Sequence, residues 1–124
     1  MHPRRTVLIV DQSAETREVL RTALERPSTR ILEASRPDQG LLLARQHHPD
    51  VIVLDLEIDT GSPESMAADF NAESEAQQTP LVMLGSARRV RQKYPAGQFV
   101  NKPYHYAPLI RKIEALLEGA AEAA

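Results

Sequence analysis

The chain has 124 residues, the length of one ordinary domain, and we expect a single domain with its core at about residues 6–118 and a frayed tail at 119–124. Its 42% hydrophobic and 26% charged residues exclude a disordered or collagen-like chain, and its net charge of −2 argues against general binding of nucleic acid. The absence of cysteine excludes disulfides and favours a cytoplasmic location, while the apolar runs are too short for a membrane span or a signal peptide.

Five short, largely apolar segments predict β-strands. The first is TVLIV, which has no polar residue after its threonine. Unbroken apolar runs of this kind are typical of parallel strands that are buried on both faces. The predicted strands cover residues 6–10, 29–34, 51–54, 81–84 and 98–101.

Helical patterns lie between these strands and after the last one. Ser13 is a candidate N-cap of the first helix, Pro37 suits the first turn of the second, and PESMAADFNAESEA predicts a third. The segment ARRVRQKY is interrupted by PAG, so the fourth helix should be short or irregular. The last helix, YAPLIRKIEALLEG, is predicted to end at Gly119. We interpret the neighbouring His47 and His48 as the end of the second helix rather than as metal ligands.

The alternation of strands and helices predicts an α/β fold with a parallel sheet that is covered by helices on both sides. In such sheets the functional site lies outside the carboxyl ends of the strands. One acid at a strand end is often an ordinary loop residue, whereas polar groups at four strand ends together indicate a site. These ends carry Asp11 and Gln12, Asp55 and Glu57, Gly85 and Ser86, and Lys102 followed by Pro103.

Charge is distributed unevenly along the chain. Residues 46–87 contain eight acids and no lysine or arginine, whereas residues 88–113 contain seven basic residues and no acid. Two interpretations remain open. The two segments can be ordinary solvated faces, or they can form a dipolar surface that selects partners by charge.

The segments VLIVDQ, PDVIVLDLEI, TPLVMLGSA and FVNKP occur in this order, and the chain from Thr6 to about Leu117 resembles the receiver domain of two-component response regulators, including stand-alone regulators of the chemotaxis type. The resemblance implies a flavodoxin-like, doubly wound sheet of five parallel strands in the order 2-1-3-4-5. It also implies phosphorelay signalling with a histidine kinase or phosphotransfer protein. Such a domain is not an enzyme beyond its own phosphorylation and dephosphorylation.

The resemblance further implies roles for the residues at the strand ends. Asp55 corresponds to the phospho-acceptor, and Lys102 to the cation that pairs with the phosphoryl group. Asp11, Gln12, Asp55 and the backbone carbonyl of Glu57 correspond to a Mg²⁺ site, which agrees with the preference of this ion for oxygen ligands. The Lys102–Pro103 bond is commonly cis in the family, and we predict the cis form here.

Two departures from the family pattern affect the predicted site directly. Gln12 stands where the family has a second acid, so one negative charge is missing. A unit charge about 4 Å from a divalent ion interacts by roughly 2 kcal/mol in water and roughly 8 kcal/mol at an effective dielectric constant of 20. We therefore expect weak Mg²⁺ binding, although the Gln12 amide oxygen remains a possible ligand. Gly85 stands where the family has a threonine or serine, and the neighbouring Ser86 is the candidate replacement hydroxyl.

Further departures affect the predicted switch and output face, to which we assign Gly85, Phe99 and Tyr104. The segment EIDTGSPES replaces the Met-Pro that commonly follows the acceptor strand, and the stretch from Gly85 to Phe99 is about one helical turn shorter than in the family. Phe99 matches the family's switch aromatic, but a role as an ordinary core aromatic is equally open.

Three classes of function remain after this comparison. The first is a receiver with phospho-acceptor Asp55, and we expect its phosphorylation to be impaired. The second is a pseudo-receiver that acts as a protein-interaction module independently of phosphorylation. The third is a phosphatase of the haloacid-dehalogenase type, which is disfavoured because Glu57 occupies the place of its second aspartate. We expect no membrane or nucleic-acid partner, and an acidic protein is an alternative partner through residues 88–112.

Overall fold

A computed structural model describes residues 4–59 and 61–123, with residues 120–123 described by their backbone alone. Five strands alternate with five helices. The elements are β1 (Arg5–Val10), α1 (Ala14–Leu24), β2 (Thr29–Ala34), α2 (Pro37–His47), β3 (Val51–Asp55), α3 (Pro63–Gln77), β4 (Leu81–Leu84), α4 (Arg88–Lys93), a 3-10 turn (Ala96–Gln98), β5 (Phe99–Val100) and α5 (Tyr106–Ala123).

The strands form one parallel sheet in the order β2-β1-β3-β4-β5. Both the α/β fold class and the strand order are as predicted. β1 and β3 lie at the centre, and their carboxyl ends are adjacent because Val10 pairs with Leu54. The residues that follow these two strands, including Asp11, therefore lie side by side at one edge of the sheet.

Two hydrophobic cores cover the two faces of the sheet. Side chains alternate along β1, so that Leu8 and Val10 pack in the core beneath α2 and α3, while Val7 and Ile9 pack in the core beneath α1 and α5. All four are fully buried. This double burial is the physical reason for the unbroken apolar run in the sequence.

The helix starts predicted from the sequence are confirmed. The Ser13 hydroxyl accepts a hydrogen bond from the Thr16 backbone N–H at 3.2 Å, and Pro37 is the first residue of α2. The end of α2 also agrees with the prediction, because His47 is its last residue and His48 caps it in the left-handed conformation with φ 46°.

The later elements depart from the predicted bounds at two points. α4 is short, as predicted, but β5 comprises only Phe99 and Val100. The predicted end of the last helix at Gly119 is wrong, since α5 continues to Ala123. The alanines that follow Gly119 are strong helix formers and offset the low propensity of one glycine. Fraying of residues 119–123 stays a prediction, and Ala124 lies outside the described residues. None of the helices in the described part of the chain is both long and apolar enough to cross a membrane.

Candidate functional site

A lysine and two acids from three different strand ends meet at the carboxyl edge of the sheet. The Lys102 ammonium lies 2.8 Å from Oδ1 of Asp55. The Asp55 side chain is only 4% exposed, and Asp11 is equally buried beside it. The predicted convergence of these residues is confirmed, as is the cis form of the Lys102–Pro103 bond.

The two oxygens of the Asp55 carboxylate have different surroundings. Oδ1 accepts a hydrogen bond from the Glu57 backbone N–H at 2.9 Å as well as the contact from Lys102. One of these contacts comes from a backbone N–H and the other from a side chain, and both end on Oδ1. Oδ2 takes part in neither of these two contacts.

Asp11 lies in an environment that disfavours its charge. Burial, with a contribution from the neighbouring Asp55, raises its pKa to about 6 against the opposing effects of the Ser13 backbone N–H and Lys102. A carboxyl with this pKa gains or loses its proton just below neutral pH. A nearby cation would favour its ionised form.

Lys102 is held in its charged form by the acids around it. Burial alone would lower its pKa, but hydrogen bonds and charge interactions with Asp55 and Glu57 outweigh that effect and raise the pKa. The site therefore presents a permanent positive charge next to the Asp55 carboxylate.

The side chain of Glu57 is part of the site, which the sequence analysis missed. Its Oε1 lies 3.3 Å from the Lys102 ammonium, and its Oε2 accepts a hydrogen bond from the Ser86 hydroxyl at 3.3 Å. For the receiver site, the sequence analysis assigns a role only to the backbone carbonyl of Glu57, as a metal ligand. The signal was the presence of an acid two residues after Asp55, on the same edge as a lysine and a serine.

Gln12 lies at the rim of the site and is engaged with the loop that follows β3. Its amide oxygen accepts a hydrogen bond from the Asp59 backbone N–H at 3.0 Å, and the residue is exposed. A role as metal ligand would require this oxygen to be shared with Asp59 or released from it. That role stays a prediction.

Gly85 allows β4 to pass close to the acceptor loop. Its φ is +151°, and a Cβ atom built there would lie 3.3 Å from Cβ of Leu56 and 3.6 Å from Cγ of Glu57. Glycine accepts this backbone conformation, which side-chain-bearing residues rarely adopt. The Glu57 side chain thus lies next to the position where the family places a hydroxyl-bearing residue.

The two candidate switch aromatics are both partly buried. Phe99 packs against the core beneath α2 and α3, with its ring centroid 6.5 Å from that of Tyr94. Tyr104 packs edge-on against Tyr106 at a centroid distance of 5.7 Å, and burial raises its pKa to about 12. Their contacts agree with core packing, and the switch role stays a prediction.

The donor atoms of the site are those preferred by a hard divalent cation. Asp11 and Asp55 supply two carboxylates, and the charge of Asp55 is one of the causes, after burial, that raise the pKa of Asp11. Across residues 4–59 and 61–123, however, no three histidine or acidic side chains come together as a metal-binding group. The site thus fits Mg²⁺ with two carboxylates rather than three.

The sequence matches the model of the response regulator receiver domain over residues 7–114. The chain therefore belongs to the family of two-component response regulator receiver domains, which are generally not enzymes acting on a separate substrate.

Several known proteins are similar to this chain over most of its length. KdpE of Escherichia coli, a transcriptional regulatory protein, is 30% identical over 116 residues, which cover 90% of this chain and 50% of KdpE. The chain spans about half the length of KdpE and of ResD from Bacillus subtilis, which is 30% identical over 122 residues. Protein PilH of Pseudomonas aeruginosa is 25% identical over 118 residues, which cover 91% of this chain and 98% of PilH.

Solved receiver structures share the fold. A CheY-like receiver domain protein from Methanospirillum hungatei superimposes with a TM-score of 0.78 at 16% identity, covering 98% of this chain and 99% of that one. Chemotaxis protein CheY4 of Vibrio cholerae gives a TM-score of 0.73 at 20% identity, covering 91% and 98%. At these identities the likeness establishes the flavodoxin-like fold alone.

Proposed function

We propose that this receiver accepts a phosphoryl group on Asp55 slowly or incompletely, from a histidine kinase or phosphotransfer protein. The observation that carries the proposal is the 2.8 Å contact between Lys102 and Oδ1 of a buried Asp55. In the reaction, Oδ2 attacks phosphorus, the bond from phosphorus to the donor's histidine nitrogen breaks, and that nitrogen keeps the electron pair and takes up a proton. Lys102 then neutralises charge on the transferred group.

A bound Mg²⁺ would neutralise the phosphoryl oxygens during transfer. Asp11 and Asp55 are the residues that would hold it, together with the backbone carbonyl of Glu57. We expect weak affinity, because Gln12 replaces a charged ligand and its amide oxygen already binds the Asp59 N–H. The absence of a hydroxyl at Gly85 removes one further contact to the product.

An alternative function is a pseudo-receiver that binds a protein through its basic region, defined as residues 88–112. This alternative is supported by the exposed side chains of Arg88, Arg89 and Arg91 on α4. Arg88, Arg91 and Phe99 line a surface groove of about 470 Å³, which combines positive charge with an apolar ring. A partner for this groove would be acidic, and its association should weaken with rising salt concentration.

The acceptor is tested by intact-mass measurement after incubation with acetyl phosphate and Mg²⁺. We expect a partial gain of one phosphoryl group, which Asp55→Asn abolishes. Asp59→Asn is the matched control, since Asp59 is an exposed acid on the same loop. Phosphorylation that survives Asp55→Asn would contradict the assignment of Asp55. If no phosphoryl group is taken up at any donor concentration, the pseudo-receiver function replaces the proposed one.

A further inference from the structure

The Glu57 carboxylate contacts the same two side chains, those of Lys102 and Ser86, that a phosphoryl group on Asp55 would contact. Lys102 is the cation of the site and Ser86 supplies the hydroxyl next to Gly85, and Glu57 contacts both at 3.3 Å. All three residues line the same surface cleft. One carboxylate oxygen thus faces the ammonium while the other faces the hydroxyl, as two oxygens of a phosphoryl group would.

The glycine on β4 makes this arrangement possible. The side chain of Glu57 passes Gly85 at a distance where a Cβ atom would already be in van der Waals contact, 3.6 Å from Cγ and 3.9 Å from Cδ. A side chain extending beyond Cβ at this position would compete with Glu57 for the same space. The absence of a side chain at Gly85 thus leaves free the space that the Glu57 side chain occupies.

From these contacts we infer that Glu57 is an internal competitor for the phosphoryl-binding groups and thereby sets the rate of Asp55 phosphorylation. The inference rests on the proposed function and deepens it. Before a phosphoryl group can engage Lys102 and Ser86, the Glu57 carboxylate must leave them. If it stays, its negative charge repels the incoming anion.

The exposure of Glu57 determines how strongly its charge should slow the phosphorylation of Asp55. Its side chain is 46% exposed and that of Lys102 is 26% exposed, so solvent screens their ion pair. Exposed ion pairs of this kind change an equilibrium by about two- to fivefold. Glu57 is thus expected to slow transfer to Asp55 without blocking it.

Two variants separate the charge of Glu57 from its bulk. Glu57→Gln keeps the size of the side chain and its hydrogen bond with Ser86 but loses the charge, whereas Glu57→Ala removes both. Glu118→Gln is the control, because Glu118 is an exposed acid near the far end of α5. We expect both Glu57 variants to be phosphorylated by acetyl phosphate about two- to fivefold faster than the unmodified protein, with Glu118→Gln unchanged.

A second measurement keeps this inference separate from the acceptor assignment. Inorganic phosphate is titrated into Asp55→Asn with and without Glu57→Ala, and binding is followed by the NMR shifts of the Ser86 amide and the Lys102 side chain. Without a reactive acceptor, the titration reports only on the anion-binding groups. We expect about two- to fivefold tighter phosphate binding once Glu57 is removed.

The outcomes are distinguishable. Tighter phosphate binding without Glu57 supports the inference, even if Asp55 is never phosphorylated and the proposed function fails. Equal phosphate affinity with and without Glu57 overturns the inference, even if Asp55 is phosphorylated normally. If Asp55 is phosphorylated but the Glu57 variants do not change its rate, the inference is also overturned, since Glu57 would then not set that rate.

Discussion

Burial of Asp11 beside Asp55 makes the stability of this protein sensitive to pH below neutrality. The pKa of Asp11 rises from its ordinary value of 3.8 to about 6 in the folded state, chiefly because of burial. The folded protein therefore binds the proton of the Asp11 carboxyl more tightly than the unfolded chain does. The contribution of Asp11 to the free energy of unfolding is greatest below pH 4 and is lost as the pH rises through about 6.

Asp11→Asn should consequently stabilise the protein at pH 8. The asparagine oxygen can still accept the hydrogen bond from the Ser13 N–H, while the buried charge is removed. A rise of the pKa from 3.8 to about 6 corresponds to about 3 kcal/mol, and we expect a gain of about 1–3 kcal/mol because burial of the polar asparagine amide offsets part of it. Urea denaturation in EDTA at pH 8 and pH 4 measures the difference. The difference in the free energy of unfolding between Asp11→Asn and the unmodified protein should vanish at pH 4. A difference that does not change with pH would contradict the raised pKa assigned to Asp11.

At the scale of single residues, the sequence predicted which side chains lie at the site better than it predicted the contacts between them. The meeting of Asp55 and Lys102 was predictable, because parallel strands bring their carboxyl ends to one edge. The contact of Glu57 with Ser86 was not, because the direction of a loop side chain depends on neighbouring backbone that lies far away in sequence. The same is true of the Gln12 contact with Asp59, which joins loops 47 positions apart.

At the scale of the elements, the packing of α2 against its neighbours depends on a close approach at Gly40. This buried glycine lies in α2, and a Cβ atom there would lie 2.7 Å from a methyl group of Val10 and 3.1 Å from the ring of Phe70. Those atoms belong to the core beneath α2 and α3. The helix can pack at this distance only if residue 40 has no side chain.

Gly40→Ala is therefore expected to destabilise the protein although alanine favours helices. Forcing extra volume into a packed core costs about 1–3 kcal/mol, which exceeds the helix-propensity gain of about 1 kcal/mol. Gly119→Ala is the matched control, because within the described residues no atom outside its chain neighbours and its own helix backbone lies within 4 Å of its Cβ position in α5. We expect this control to be neutral or stabilising in thermal denaturation. Equal effects of the two substitutions would show that packing at Gly40 is not the cause.

The types of the elements and most of their bounds could be predicted from the sequence, because the hydrophobic periodicity and the helix caps indicate the same elements. The β2 and β4 bounds match the apolar segments, and the Ser13 cap fixed the start of α1. The end of α5 was misjudged because one glycine does not stop a helix when alanines follow. The sequence did not predict how short β5 is, because the length of this strand depends on its pairing with β4. Only Met83 and Leu84 of β4 pair with β5.

At the scale of the whole molecule, the uneven charge predicts how copies of this chain associate. Many receivers dimerise symmetrically through the fourth helix, fifth strand and fifth helix, using paired acids and bases. Here the part of this face that residues 88–113 form contains no acid, so a two-fold axis through that part would bring like charges together. We predict that this face does not form a symmetric dimer and binds an acidic partner or the acidic α3 of a neighbouring copy instead.

Sedimentation at low and high salt, combined with cross-linking, tests this prediction. We expect a monomer, or an association that weakens with salt and links the basic region of one copy to α3 of another. A symmetric dimer through the fourth helix, fifth strand and fifth helix of both copies would contradict it.

The most direct test of the proposed function compares the unmodified protein with Gln12→Asp. Restoring the acid should raise Mg²⁺ affinity about tenfold or more, as expected for one added charge near a divalent ion in a solvent-exposed position. It should also raise the fraction phosphorylated by acetyl phosphate in an intact-mass time course. The account predicts weak Mg²⁺ binding and slow, incomplete phosphorylation of the unmodified protein. Tight Mg²⁺ binding and complete phosphorylation of Asp55 in the unmodified protein would contradict it.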